Sequence, residues 1–169
     1  MFFKIIAGLI IIIALLLLVL RLSGKQHQAY NGAANGLSDW MSRLPDDIAL
    51  NKVIVPGSHD AGTVGTIWCA ETQSYTIEQQ LLCGVRYFDL RVHKKSENEY
   101  VMFHSIADGM DFRPVLKWIK DFIKANPSEV LFLDFQHFKG ESQEGVFKLL
   151  TEELYRECLM LENTIGQDE

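Results

Sequence analysis

Residues 85–92 of the chain read VRYFDLRV. β-Branched and aromatic residues dominate this stretch, so it predicts a β-strand over Val85–Val92. Side chains two residues apart in a strand point to the same face, which places Asp89 and Arg91 together. Upstream, Gly84 ends an apolar pattern of helical spacing, and a short helix is predicted over Thr76–Leu82.

Strands and helices alternate on both sides of this stretch. Upstream, Lys52–Val55 (KVIV) is a β-branched run that Pro56-Gly57 stops, which predicts another short strand. Downstream, strands are predicted over Tyr100–His104 and Val130–Phe135, and amphipathic helices over Pro114–Ala125 and Glu144–Leu161. The order β-α-β-β-α-β-α indicates an α/β fold with mostly parallel strands.

The first 22 residues differ in composition from the rest. Residues 5–20 contain no charged or polar side chain, and Lys4 and Arg21 flank them. A membrane-spanning helix needs about 20 apolar residues, whereas the core of a secretory signal peptide has roughly 7–15. Residues 1–22 are therefore predicted to be a hydrophobic helix, either a single-pass transmembrane signal-anchor or a signal peptide. The domain behind it is expected on the lumenal or extracellular side, and to be secreted if the segment is cleaved.

The remaining chain divides into a linker and one domain. Residues 23–38 are rich in Gly, Asn and Gln and are predicted to be flexible, and the folded domain is predicted over residues 39–169. A closed eight-stranded α/β barrel takes roughly 250 residues, so residues 39–169 suffice for about half of one. A formal net charge of −6 argues against general nucleic-acid binding. The three cysteines lack zinc-type spacing, and Cys69 and Cys83 could either pair or remain buried thiols.

Five polar residues of three kinds lie at or near the ends of predicted strands. His59 and Asp60 follow the first strand, Asp89 and Arg91 share a face of the next, and His104 ends the third. Because the carboxyl ends of the strands form the active face in α/β folds, both imidazoles are expected near the guanidinium. The two carboxylates are candidates for orienting the imidazoles.

Two histidines beside an arginine suit phosphoryl transfer. A neutral imidazole can take a proton from an attacking hydroxyl, a protonated one can give a proton to the leaving oxygen, and a guanidinium can neutralise the phosphoryl oxygens. Each residue also has an ordinary alternative. His59 could be a loop residue, His104 a strand-boundary residue, and Arg91 a structural ion-pair partner of Asp89.

Four stretches together resemble the X region of phosphatidylinositol-specific phospholipase C. They are WMSRLPDDIALNKVIVPGSHDAGT (40–63), QQLLCGVRYFDLRV (79–92), VMFHSIADG (101–109) and NPSEVLFLDFQHF (126–138). The chain is similar to the small X-domain-only proteins and the bacterial-type enzymes rather than to the large calcium-dependent ones. The resemblance implies a TIM-barrel-like fold, of which this chain supplies the first half behind its N-terminal hydrophobic helix.

The resemblance also implies roles for individual residues. His59 matches the general base that deprotonates the inositol 2-hydroxyl, His104 the general acid, and Arg91 the arginine that stabilises the phosphate. Asp60 and Asp89 match the carboxylates of that site. Calcium-dependent members carry Asn and an acidic residue where Asp60 and Arg91 stand, so neither a metal nor another cofactor is expected.

The implied activity is that of a phosphoric diester hydrolase of lipid metabolism. It would cleave phosphatidylinositol or glycosylphosphatidylinositol lipids at a membrane to diacylglycerol and inositol cyclic phosphate, independently of calcium. Gln136 stands where bacterial-type enzymes carry an inositol-binding lysine, and it is the candidate substrate-binding residue. Two alternatives stay open: a catalytically inactive lipid-binding or regulatory fragment, and a glycerophosphodiester phosphodiesterase, against which Arg91 counts because that enzyme needs acidic metal ligands.

Overall fold

The structure is a computed structural model that describes residues 2–22, 36–67, 69–141 and 143–154. Its strands are β1 (Gly57–Ser58), β2 (Tyr87–Ser96), β3 (Glu99–His104), β4 (Ala107–Asp111) and β5 (Phe132–Lys139). Its α-helices are α1 (Phe2–Leu22), α2 (Ile77–Leu82), α3 (Phe112–Ala125) and α4 (Gln143–Glu153), and short 3₁₀ helices cover Trp40–Arg43 and Leu50–Lys52. Most of the predicted linker, and the end of the helix predicted over Glu144–Leu161, lie outside the described residues.

The β2 strand is the centre of a five-stranded sheet. It pairs with β5 in parallel along residues 87–93. Its other edge pairs in parallel with β1 at Tyr87 and Phe88, and in an antiparallel manner with β3 further along. The β4 strand then pairs with β3 in an antiparallel manner. The predicted strand over Val85–Val92 is thus present, and it is longer at its carboxyl end.

The sheet is mixed, so the prediction of mostly parallel strands was wrong. Only residues 97 and 98 separate β2 from β3, which is too short for the crossover that two parallel strands need. The β4 strand (ADGMD) was not predicted, because it lacks the β-branched and aromatic residues by which strands are recognised.

The strand predicted over Lys52–Val55 is absent. A 3₁₀ helix ends at Lys52, and the side chain of Ile54 is 94% exposed. The ladder with β2 begins later, where the Pro56 carbonyl accepts the N–H groups of Arg86 and Tyr87. Among the described residues, the β-branched run has no strand to pair with, and its composition alone does not make a strand.

The hydrophobic core lies between one face of β2 and three helices. Phe88, Leu90 and Val92 alternate along β2 and are fully buried. They pack in one cluster with side chains of α2, α3 and α4, among them Leu81, Leu116, Ile119, Val146 and Leu150. The alternate residues of β2, including Asp89 and Arg91, therefore point to the opposite face.

The predicted helices are present with shifted ends. The Thr76 hydroxyl accepts the Gln79 N–H and the Gln79 side chain accepts the Thr76 N–H, which forms a capping box at the start of α2. At the start of α3, the Asp111 carboxylate accepts the Arg113 N–H. The cap moves the start of that helix ahead of the predicted Pro114, which is well tolerated in a first turn.

A buried arginine closes the end of the fold away from the strand carboxyl ends. The Arg86 side chain is fully buried, and its Nε donates to Glu129 Oε2 at 2.7 Å. Its four remaining N–H groups donate to the carbonyls of Leu81, Val85, Leu37 and Ser38. Burial lowers the pKa of Arg86, and the bond and charge of Glu129 oppose that shift. All five donors are therefore satisfied, which is what a buried guanidinium requires.

The prediction of a single-pass anchor over residues 1–22 was wrong. Within the part of the chain that the structure describes, no helix is both long and apolar enough to cross a bilayer.

Candidate active site

The chain reverses direction immediately after β1, and this turn positions the first pair of candidate residues. Asp60 has a φ of +48°, in the left-handed region that Asp adopts more readily than most residues. Its N–H donates to Asp89 Oδ2 at 3.1 Å, and the Ala61 N–H donates to the Asp89 carbonyl. The turn is therefore fixed to β2, and the Asp60 carboxylate is buried beside Asp89.

His59 has a carboxylate at each of its ring nitrogens. Its Nδ1 lies 2.9 Å from Asp89 Oδ2, and its Nε2 lies 3.2 Å from Asp60 Oδ2. The ring is 72% exposed, whereas the two carboxylates are at most 3% exposed. An accessible imidazole thus rests on two buried acceptors. They can fix its orientation and place negative charge beside the imidazolium that proton uptake creates.

Arg91 joins the two carboxylates from the neighbouring position on β2. Its Nε lies 2.5 Å from Asp60 Oδ1 and its Nη2 lies 3.1 Å from Asp89 Oδ2. The side chain is 15% exposed. The guanidinium offsets part of the buried negative charge, while its exposed edge stays available to an anion.

His104 reaches the same carboxylate from the end of β3. Its Nε2 lies 3.4 Å from Asp60 Oδ2. Its Nδ1 lies 3.0 Å from the carbonyl oxygen of Ala70, which can only accept, so Nδ1 carries a proton. A second proton on Nε2 would face a carboxylate, and that arrangement suits an imidazole acting as a general acid.

The structure therefore brings together the five residues predicted at strand ends. A single oxygen of Asp60 lies within ion-pair distance of Nε2 of both His59 and His104. Two imidazole nitrogens and one guanidinium can consequently reach the same small group. Their catalytic roles stay predictions, since contact alone does not establish turnover.

Three of these residues could also hold a metal ion. One ligand atom each from His59, Asp60 and Asp89 lies within 4.8 Å of the others. Arg91 already contacts both carboxylates, so a divalent cation would have to enter against the charge of the guanidinium. The donor set therefore fits an arginine-occupied site better than a cation site.

Gln136 lies on β5 rather than among the imidazoles. It is the extra residue where the pairing of β5 with β2 shifts, between the Leu90–Phe135 and Arg91–His137 pairs. Its Nε2 donates to Asp134 Oδ2 at 2.8 Å, and the Tyr87 hydroxyl donates to the same oxygen. Among the described contacts, none joins Gln136 to the imidazole cluster, and its role in substrate binding stays a prediction.

Sequence reasoning missed two groups that support the imidazoles. The Ala70 carbonyl that fixes His104 is a backbone group, and side-chain type gives no sign of it. The Gln73 side chain donates to the His59 carbonyl at 2.7 Å, and an amide in a loop is too common to single out. Both residues lie in a loop away from the predicted strand ends, at which the site residues were expected.

The chain is similar in sequence to known proteins. Residues 47–168 match the family model described as phosphatidylinositol-specific phospholipase C, X domain. A zebrafish (Danio rerio) PI-PLC X domain-containing protein 3 is 32% identical over 139 residues, covering 61% of this chain and 42% of the relative. A Staphylococcus aureus 1-phosphatidylinositol phosphodiesterase is 29% identical over 147 residues, covering 80% of this chain and 46% of the relative.

Solved structures give the same picture. A structure of S. aureus phosphatidylinositol-specific phospholipase C superposes with a TM-score of 0.58 at 26% identity, covering 71% of this chain and 43% of that one. The Listeria monocytogenes enzyme gives 0.57 at 29% identity, covering 68% and 44%. The predicted fold class, an α/β half-barrel, is confirmed by this similarity. The chain spans less than half the length of these relatives.

Proposed function

The chain belongs to the phosphatidylinositol-specific phospholipase C X-domain family, and we propose that it cleaves phosphatidylinositol-type lipids without a metal ion. The observation that carries this proposal is the shared Asp60 oxygen, which lies 3.2 Å from Nε2 of His59 and 3.4 Å from Nε2 of His104. A base and an acid held this close can act on the two sides of one phosphorus atom.

In the proposed reaction, His59 Nε2 takes the proton of the inositol 2-hydroxyl. The oxygen then attacks the phosphorus, the bond from phosphorus to the diacylglycerol oxygen breaks, and His104 Nε2 gives its proton to that leaving oxygen. The products are inositol 1,2-cyclic phosphate and diacylglycerol. After this step His59 is protonated and His104 is neutral. A later proton transfer through water returns both to their starting states.

The guanidinium has the electrostatic role in this proposal. Arg91 contacts Asp60 and Asp89, and its side chain remains 15% exposed. Negative charge grows on the phosphoryl oxygens as attack proceeds, and a fixed cation at this position stabilises that charge. Because the cation is part of the chain, the reaction is expected to persist when divalent ions are chelated.

The test is release of labelled diacylglycerol by the full chain from vesicles that contain phosphatidylinositol, with a chelator present. His59→Ala and His104→Ala are expected to lower turnover by about 10²–10⁴-fold each. His93→Ala is the matched control. His93 on β2 pairs with Asp108 on β4 at 2.7 Å, and in the described contacts it touches none of the five site residues. Vesicles that carry a glycosylphosphatidylinositol lipid instead distinguish the two lipid classes.

Two results would overturn the proposal. Turnover that survives both site substitutions would remove the assigned roles. Vesicle binding by the wild type without any release of diacylglycerol would favour the alternative, a catalytically inactive lipid-binding protein.

A further inference from the structure

The loop between β1 and α2 contacts both imidazole residues. The Gln73 side chain donates to the His59 carbonyl at 2.7 Å. The Ala70 carbonyl accepts from His104 Nδ1 at 3.0 Å. The returning part of this loop, residues 70–73, therefore contacts the backbone of His59, which follows β1, and the ring of His104, which ends β3.

A single buried hydroxyl holds this returning segment in place. Thr63 is 1% exposed, and its Oγ1 accepts the N–H groups of Thr72 at 3.0 Å and Gln73 at 3.2 Å. The same oxygen lies 3.1 Å from the Asp60 carbonyl and 2.6 Å from the Thr72 hydroxyl. The Thr72 hydroxyl also reaches the Asp60 carbonyl, at 3.2 Å. The end of the loop is thereby joined to the left-handed turn at its start.

We propose that Thr63 is a positioning residue that fixes both imidazoles through the loop it holds together. The backbone N–H of Gln73 donates to the Thr63 hydroxyl, and the side chain of the same residue donates to the His59 carbonyl. Ala70, which supports His104, lies two residues before the other bound nitrogen, that of Thr72. The inference rests on the proposed function only for its catalytic meaning, because the geometry it describes can be measured in a protein without turnover.

The hydroxyl, rather than the size of the side chain, is what the proposal requires. Valine has nearly the shape of threonine but cannot accept a hydrogen bond, so Thr63→Val leaves two backbone donors without their partner. An unpaired buried donor is energetically unfavourable, so residues 72 and 73 are expected to shift toward water. Thr63→Ser keeps the hydroxyl and loses only a methyl group.

The experiment is nuclear magnetic resonance of the full chain with labelled histidine. In the wild type, the tautomer protonated at Nδ1 is expected to dominate for His104. In Thr63→Val, that fraction is expected to fall at least twofold, and the carbonyl carbon signal of His59 is expected to move. Thr63→Ser should restore both signals. The ring of His93, held by Asp108 elsewhere in the sheet, should be unchanged in every variant.

Turnover provides an independent arm. If the proposed function holds, Thr63→Val is expected to lower kcat at least tenfold with little change in KM, and Thr63→Ser to recover it. If the wild type shows no turnover, the proposed function fails and the resonance signals still decide the role of Thr63.

Unchanged signals of His59 and His104 in a folded Thr63→Val protein would overturn the proposal, even with a lowered melting temperature, because the residue would then serve stability alone. If Thr63→Val does not fold, Thr63→Ala replaces it, since alanine also lacks an acceptor and adds no bulk to the buried position. Wild-type signals for both histidines in that variant would overturn the proposal equally.

Discussion

Arg91 contacts its two carboxylates through two nitrogens of one planar group, and Nε reaches both of them. Its Nε meets Asp60 and its Nη2 meets Asp89, so one planar group spans two acceptors. A lysine ammonium is a single point charge and cannot hold both contacts in fixed directions while also facing an anion.

Replacing Arg91 by lysine should therefore keep the positive charge but lose the fixed contacts to both carboxylates. We expect Arg91→Lys to keep the fold but lower kcat by about 10²–10³-fold, the usual loss when one donor to a developing oxyanion is removed. Arg113→Lys, at an exposed position on α3, is the matched control and should be neutral. Diacylglycerol release and thermal unfolding are the measurements, and an Arg91→Lys enzyme with wild-type kcat would contradict the expectation.

Tyr87 gives a prediction about pH. Its hydrogen bond to Asp134, together with burial and the charge of Asp134, raises the pKa of the Tyr87 hydroxyl above its ordinary value of 10.0. A pKa that is higher in the folded state stabilises the fold fully below the unfolded value, and that stabilisation is lost as pH rises through the folded value. The stability advantage of the wild type over Tyr87→Phe should therefore close in alkaline solution.

The measurement is tyrosinate absorbance during a pH titration, taken as the difference between the wild type and Tyr87→Phe. Its midpoint should lie above pH 10.0, and urea unfolding at neutral pH should show Tyr87→Phe to be less stable. A midpoint at or below the ordinary value would show that Asp134 does not hold the hydroxyl.

The proximity of Asp89 and Arg91 was predictable at this scale because strand spacing determines it. Asp89 and Arg91 are two residues apart on β2, and their contact at 3.1 Å follows from that spacing. Thr63 and the Ala70 carbonyl were not predictable, because hydrogen bonds across a loop depend on its path and not on any periodic pattern.

At the scale of elements, the strongly patterned segments were predicted and the weakly patterned ones were not. The α3 helix has a clear apolar face and was found with its end at Ala125. The run over Lys52–Val55 has strand composition but no partner, and β4 has a partner but no strand composition. Strand formation depends on pairing across the sheet, which local sequence does not report.

The buried Arg86–Glu129 pair connects elements that are distant in sequence. Removing one partner leaves an uncompensated buried charge, and we expect Arg86→Met to destabilise the protein by about 3–5 kcal/mol. The double variant Arg86→Met/Glu129→Met should recover much of that loss, because it buries no charge. Urea unfolding gives the free energy of unfolding of the wild type and both variants. An Arg86→Met protein that is less stable than the wild type by under 1 kcal/mol would contradict a stabilising role for the Arg86–Glu129 pair.

At the scale of the whole molecule, the sheet has one central strand and one open side. The β2 strand is paired along both edges, whereas β5 pairs with β2 alone among the described strands. The half-barrel could be predicted because chain length limits the number of strands. The anchor over residues 1–22 was predicted from composition alone and was wrong.

Amide hydrogen exchange tests this arrangement. The amides of β2 should exchange most slowly, through global unfolding, and those of β5 that point away from β2 should exchange at least tenfold faster, because no other described strand pairs with them. Exchange of the two strands is compared in the proteolytic fragments of the labelled protein that cover residues 87–96 and 132–139. Equal protection of the two strands would mean that a further segment or a second molecule covers β5.

One strand carries both the interior and the reactive face of the molecule. Phe88, Leu90 and Val92 of β2 fill the core, and on the opposite face Asp89 contacts His59 while Arg91 contacts Asp60 and Asp89. A substitution that shifts this strand is therefore expected to displace Asp89 and Arg91 together with the core side chains. Thermal stability and the geometry of the candidate site should consequently change together in variants of β2.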